Sequence, residues 1–281
     1  MPSKTKKQGD RVKRLPVSLS GQITLLSDFG NQDYFVGAVK GVIASINPAA
    51  SLIDITHEIP AQDIDAAAFT ILASYRSFAP GTIHVGVVDP GVGTARKPIL
   101  AFAGGHFFVG PDNGIFSYIL EKETDHRVFH VTAQKYFCQP LSNTFHGRDV
   151  FAPVAAHLSN GLSPESFGEE IFDTVRLPPL VPTAPKPGEI KGRILHIDHF
   201  GNCVTNIDRS VLERSNEDRA KVMIKGKKIE SFRESYAERK GKKSLFAIWG
   251  SAGFLEISAC NRSAAKILKA RRGDSVTIEF V

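Results

Sequence analysis

Cysteine is scarce in this chain: three in 281 residues, Cys138, Cys203 and Cys260, far apart and in no CxxC pair. A scattered, odd-numbered set excludes a disulfide framework and a structural zinc site, and fits a reducing, cytoplasmic setting. Long apolar runs are missing too. None approaches the ~18–20 residues a membrane span needs, and the N-terminus lacks the apolar core of a secretory signal, so a soluble protein with no membrane partner is expected. Positive charge is also scarcer than the total of +6 implies. Lys4, Lys6, Lys7, Arg11, Lys13 and Arg14 against Asp10 place +5 of it in the first fourteen residues. Residues 1–20 read as a disordered basic tail, and the nearly neutral remainder offers no basic face for specific nucleic-acid binding.

What is present is one device used three times. The apolar run Gln22–Ser27 ends in Asp28-Phe29-Gly30, Ser51–Thr56 ends in His57-Glu58, and the run beginning at His84 ends in Asp89-Pro90-Gly91, with Arg96 seven residues after the acid. Between the runs lie two helical patterns. The first carries Phe35, Val39, Val42, Ile43 and Ile46, with Asp33 as its expected N-cap and Asn47-Pro48 as its stop. The second, over residues 61–78, carries Ile64, Ala67, Ala68, Ile71, Leu72 and Tyr75 and closes at Pro80-Gly81. This β-α-β-α-β order predicts a Rossmann-like α/β domain with a mainly parallel sheet. Asp28, His57 and Asp89 then share the carboxyl edge, where open α/β sheets bind ligands. By itself Asp89 is either a site carboxylate or an ordinary turn former, and the local sequence leaves both open. Asp28, Asp54, His57 and Asp89 lack the tight spacing of a metal site, so no metal is expected. The tripeptide at Asp28 is no kinase signature, since no Gly-rich loop, strand lysine or catalytic loop accompanies it.

Farther on, Pro98–Ala103 and His106–Val109 predict a hairpin around Gly104-Gly105, and Gly110–Gly114 a turn into a short helix near Ile115–Glu121. In Asn143–Asp149 (NTFHGRD), His146 sits in a loop entering a helix that carries Val150, Val154, Ala155 and Leu158. Such a histidine is structural or catalytic, and the spacing does not choose. Five prolines, Pro178, Pro179, Pro182, Pro185 and Pro187, mark residues 178–189 as a linker after an α/β domain over 21–177. Beyond it come short runs at close spacing: Gly192–Ile197, Cys203–Ile207, Lys221–Ile224, Lys228–Phe232, Leu245–Trp249, Gly253–Ser258 and Ser275–Val281. They predict an all-β barrel domain over 190–281.

Five motifs now stand in order: DFG at Asp28, VVDPGVG with Arg96, FHGRD at His146, IDHFGNCVTNI over Ile197–Ile207 and SAGFLEI over Ser251–Ile257. Together they resemble the S-adenosyl-L-methionine hydroxide adenosyltransferases, relatives of the fluorinase and chlorinase enzymes, from about residue 22 to the C-terminus. The resemblance implies attack of water on the ribose 5′ carbon of S-adenosylmethionine, giving adenosine and L-methionine, with no cofactor. It implies a homotrimer whose sites are shared between neighbouring subunits. It places Asp89, Arg96 and His146 around the water, Asp28 at the ribose hydroxyls, Phe29 among the substrate-binding residues, and Asp198, Phe200, Asn202, Ser251 and Glu256 in the motifs around adenine and the methionine end. Two departures stand out: Gly250, where relatives often carry a longer polar residue, and Ala259-Cys260-Asn261-Arg262. Two other functions compete with hydrolysis. A chloride adenosyltransferase would exploit the small Gly147, though a carboxylate at Asp89 repels an incoming anion; a non-catalytic S-adenosylmethionine or adenosine binder would not need three ionisable groups around a water.

Overall fold

The computed structural model describes residues 17–212, 220–229, 231–237 and 245–280, so the expected basic tail lies outside the described residues except for 17–20. These residues form two compact units, 17–67 with 75–175, and 68–74 with 176–280. No helix among the described residues is long and apolar enough to cross a membrane.

From its start the chain runs β1 (Gln22–Ser27), α1 (Phe35–Ile46), β2 (Ser51–Thr56), α2 (Ile64–Ser74) and β3 (Ile83–Val87), all in the first unit except residues 68–74 of α2, which group with the second. It continues through the hairpin β4 (Pro98–Ala103) and β5 (His106–Pro111), then α3 (Ser117–Lys122), β6 (His126–His130), α4 (Ala152–Ser159) and β7 (Glu170–Ile171). The strand order is β2-β1-β3-β5-β4-β6-β7. The parallel part expected from the β-α-β pattern is β2-β1-β3-β5; the other pairings, β5-β4, β4-β6 and β6-β7, are antiparallel. The sheet is mixed because the two-residue Gly104-Gly105 connection permits only an antiparallel neighbour. The crossover from β1 places β2 on one side of it and the next crossover places β3 on the other, so the strand order reverses there and the carboxyl ends of β1 and β3 form the switch point of the sheet. Asp28 and Asp89 follow there directly.

Val39 and Ile43 of α1 and Val154, Ala155 and Leu158 of α4 pack on Ile23, Leu25, Val85, Val87 and Val109 of the strands. The two helices are also tied at their ends, by Asn47 Nδ2 to Ser159 Oγ (2.8 Å) and Asn160 Nδ2 to the Ile46 carbonyl (3.1 Å). Asp33 is not the cap of α1. Tyr34 holds that position in helical conformation and without a side-chain bond, while Asp33 is exposed one residue earlier. The second helix is shorter than its apolar pattern: Asp63 Oδ1 accepts the Ala66 N–H at 3.0 Å at its start, and a 3₁₀ turn, Tyr75–Ser77, ends it.

The second unit contains β8 (Glu189–Ile197), β9 (Cys203–Asp208), the single turn α5 (Arg209–Leu212), β10 (Ala220–Ile224), β11 (Lys227–Ile229) and β12 (Phe232–Arg233). β13 (Leu245–Trp249), β14 (Phe254–Ala259), α6 (Ala264–Leu268) and β15 (Ser275–Phe280) complete it. The strands form one sheet in the order β11-β10-β15-β8-β9-β14-β13-β12. Ile229 near one end of that order and Ala247 near the other share a core with Ile194, Ile207, Leu255 and Ile278, so the sheet curls on itself. It is a half-barrel, because no ladder among the described residues joins β11 to β12. The Pro-rich stretch is pinned to this unit. Thr183 exchanges backbone bonds with Lys191 of β8, and the Leu180 carbonyl accepts Asn206 Nδ2 at 2.7 Å.

The parallel strands also bury two histidines side by side. His84 Nδ1 lies 2.7 Å from Thr24 Oγ1 and its Nε2 lies 3.3 Å from His106 Nδ1. Burial, with His106 adding to it, pushes His84 down to about 3, and burial also lowers His106. The unfolded chain therefore takes up protons that the folded one refuses, so stability is fully present above about pH 6.5 and falls as pH drops from there toward 3. For His84 alone the loss at pH 5 is about 2 kcal/mol. Thermal unfolding followed from pH 8 to 4 should give a midpoint that drops below pH 6.5, with a shallower drop in His84→Gln. Equal slopes for the two proteins would show that this histidine does not control acid stability.

Candidate active site

At the switch point the chain leaves β3 and folds through two linked turns. Val92 N–H donates to the Asp89 carbonyl at 3.2 Å, and Thr94 donates to the Gly91 carbonyl through both its N–H (3.1 Å) and its hydroxyl (2.7 Å). These turns return Arg96 to Asp89. Its Nε donates to Asp89 Oδ1 at 2.9 Å and one terminal nitrogen, Nη2, to Oδ2, a two-pronged pair whose side chains are only 9% and 6% exposed. Gly93 has a φ of +77° and lies against the Asn143 carbonyl, where a Cβ would collide with that oxygen. This approach brings the His146 loop beside the turn.

Arg96 Nη2 also donates to His146 Nδ1 at 2.7 Å, and its guanidinium carbon lies 5.3 Å from the centre of the Phe151 ring. With Nδ1 accepting, the proton of the neutral imidazole resides on Nε2. Burial and the Arg96 charge lower the pKa of His146, and Asp89 and Asp149 oppose them, so the neutral form holds at pH 7. Arg96 Nη1 is buried with no partner among the described residues, which leaves one strong donor unused. The loop is braced from behind by Asp149, itself buried, which accepts Ser142 N–H at 2.9 Å and Arg148 Nε at 2.6 Å. His146 enters a single π-helical turn, Gly147–Phe151, a geometry frequent at functional sites.

Asp89 and His146 line a cavity of about 320 Å³ together with Asp28, Phe29, Gln62 and Phe145. Arg96 stands behind them, outside the lining. Asp28 Oδ2 accepts the Gln62 N–H at 2.8 Å, and Gln62 has a φ of +64°, a left-handed conformation uncommon outside glycine. The Asp28 carboxylate is thereby fixed by main chain, with its other oxygen available. Gly147 does not open extra room: Phe29, Phe145 and Val87 already stand 3.2–3.4 Å from where a Cβ would lie.

The remaining predicted residues, Asp198, Phe200, Asn202, Ser251 and Glu256, line a different cavity, of about 700 Å³, in the second unit. Asp198 accepts both the backbone N–H (2.7 Å) and the side-chain amide (2.8 Å) of Asn202, which closes the turn between β8 and β9. Phe200 is 74% exposed at its rim. Glu256 is buried, and burial raises its pKa, Asp198 adding to the effect and the Tyr236 hydroxyl, which donates at 2.7 Å, reducing it. Gly250 has a packing reason, because a Cβ there would collide with Glu256 Oε1. Cys260, Asn261 and Arg262 also line this cavity.

Sequence reading missed Gln62 and Tyr236. A left-handed glutamine leaves no pattern in the sequence, and an aromatic among polar residues, as in Glu234-Ser235-Tyr236, was the only sign of the second.

The profile of the SAM hydroxide adenosyltransferase N-terminal domain matches residues 23–168 and that of its C-terminal domain residues 192–277. A protein of Methanocaldococcus jannaschii named (R)-S-adenosyl-L-methionine hydrolase is 38% identical over 92% of this chain and 95% of its own. One of the same name from Thermus thermophilus is 34% identical over 91% and 98%. A fluorinase of Actinoplanes sp. is more distant, 27% identical over 72% and 76%. The crystal structure of an uncharacterized conserved protein from Thermotoga maritima superimposes with a TM-score of 0.85 at 33% identity, covering 91% of this chain and 99% of the other. The chain therefore belongs to the SAM hydroxide adenosyltransferase family.

Proposed function

We propose that the protein hydrolyses S-adenosyl-L-methionine at the ribose 5′ carbon, giving adenosine, L-methionine and a proton. The observation that carries this reading is the closed set of Asp89, Arg96 and His146 at a cavity that also presents Asp28. The C–S bond needs no acid catalyst, since methionine leaves as a neutral thioether; the slow part is holding a water in line with the 5′ carbon. His146 Nε2–H donates to one lone pair of that water, and Asp89 accepts its proton as the C–O bond forms. General-base assistance of this kind is worth about 10²–10⁴-fold. Arg96 holds the carboxylate and the imidazole at fixed angles, and its charge favours the hydroxide character that develops on the water. Asp28 suits the ribose diol, because the oxygen left free by Gln62 accepts hydroxyl protons.

Water is favoured over chloride for two reasons. A halide must shed its hydration shell next to the Asp89 carboxylate, and the space above Gly147 is already taken by Phe29, Phe145 and Val87. Retention of substrate without turnover is the weaker reading, since a binder has no use for a donor-acceptor pair locked by a buried arginine.

The second cavity suits the flat base and the amino-acid end, with exposed aromatic faces on Phe200 and Tyr236 and polar groups on Asn202, Ser251 and Glu256. By family resemblance we assign the active form as a homotrimer in which this surface completes the first cavity of a neighbouring subunit. The three free cysteines fit a reducing cytoplasm.

The reaction is tested by incubating the protein with both sulfonium epimers of S-adenosylmethionine in ¹⁸O-water, with and without molar chloride. Adenosine labelled at its 5′ oxygen is expected from the (R) epimer, the form named for the relatives, and 5′-chloro-5′-deoxyadenosine as the main product would refute the assignment. Light scattering after gel filtration should give three times the 30.6 kDa chain mass. A fully active monomer would contradict the shared site.

A further inference from the structure

Behind the Asp28–Phe29 corner runs a chain of polar groups that the reaction does not use. Ser27 Oγ, at the last position of β1, is 2.7 Å from His57 Nδ1, and His57 Nε2 is 3.1 Å from Asp54 Oδ1. Asp54 Oδ2 accepts Lys40 Nζ of α1 at 2.6 Å. Ser27 and His57 are buried, whereas Asp54 and Lys40 reach the surface. Ser, His and Asp in a row have the composition of a nucleophile relay. Here the free space at Ser27 and His57 is about 10 Å³, too small for a substrate.

The direction of the bonds gives the chain another use. Partial burial pushes Asp54 up, but Lys40 and His57 outweigh it and hold its carboxyl below the usual range, so Asp54 is an anionic acceptor. The imidazole proton then sits on Nε2, in a contact that is short but bent and thus mainly electrostatic. Nδ1 is left as an acceptor for the Ser27 hydroxyl, and Ser27 Oγ in turn accepts the Phe29 N–H at 3.3 Å. The main chain repeats the tie: Gly30 N–H donates to the His57 carbonyl at 2.8 Å, and Ile59 N–H to the Ser27 carbonyl at 3.3 Å. Ring and backbone of one residue thus grip both sides of Asp28.

We infer that His57 is a positioning residue, which through Ser27 sets the direction of the Asp28 carboxylate toward the ribose diol. The inference rests on the assignment of Asp28 to the ribose and deepens it. Asp28 would hold the ribose alike in the ground and transition states, so misplacing it weakens binding without slowing the chemical step.

The test is calorimetry with adenosine beside steady-state kinetics with S-adenosylmethionine. His57→Leu and Ser27→Ala should each weaken adenosine about three- to tenfold, the reach of one lost buried hydrogen bond, and raise KM by the same factor with kcat within about twofold. His57→Asn, whose Oδ1 can still accept the Ser27 hydroxyl, should restore most of the affinity. Lys40→Met, at the exposed end of the chain and far less demanding on folding, should move affinity in the same direction by a smaller factor. A lowered melting temperature with unchanged adenosine affinity in His57→Leu and Ser27→Ala would overturn the inference, as would an equal loss in His57→Asn. Failure of the wild-type protein to bind adenosine at all would instead sink the functional reading on which it rests.

Discussion

The Arg96 guanidinium, placed between Asp89 and His146 and nearly shut off from water, is the interaction on which the site depends. Desolvating an arginine–carboxylate pair in such surroundings is costly and is offset only by well-fixed geometry, all the more so because Arg96 Nη1 has no partner among the described residues. The fold fixes it: linked turns return Arg96 to Asp89, Phe151 lies under the guanidinium, and Gly93 lets the His146 loop close against the turn. The arrangement also settles the proton positions. Because Arg96 donates to Nδ1, the neutral His146 carries its proton on Nε2, which in the proposed reaction makes it a donor and leaves Asp89 as the acceptor for a water proton. Two groups that could compete for one proton are thereby given separate tasks.

The sheet explains why these residues meet. Reversal of the strand order between β1 and β3, two parallel strands, opens the crevice into which Asp28 and Asp89 are delivered. The α/β unit holds the groups we assign to the 5′ carbon and ribose, while the half-barrel unit holds Phe200, Tyr236 and the Asn202, Ser251 and Glu256 polar groups. Each cavity is chemically incomplete for a substrate with a cationic centre, a sugar, a base and an amino-acid tail.

Much of this was legible in the sequence because the signals were local. Apolar runs ending in Asp28, His57 and Asp89 mark strand ends regardless of what surrounds them, and the return of Arg96 follows from a Pro-Gly turn of limited reach. Where several residues far apart had to agree, the signal faded. The left-handed Gln62, the fit of Gly250 to Glu256 and the reach of Tyr236 all depend on tertiary contacts. Asp33 failed as a cap for a related reason, since a good capping side chain is used only if the preceding loop points it at the first helical amides. The barrel expected from seven short runs is a half-barrel, because closure is decided by end-strand pairing, which strand spacing does not encode.

If Arg96 binds Asp89 and His146 into one working unit, their losses should not multiply. The most direct measurement is the single-turnover rate of adenosine formation in Asp89→Asn, His146→Ala and the double variant, with adenosine affinity as the control for a folded site. Each single change should slow turnover about 10²–10³-fold while adenosine still binds, and the double variant should be no slower than the slower single one. Losses that multiply, or a single variant that turns over like wild type, would contradict the account.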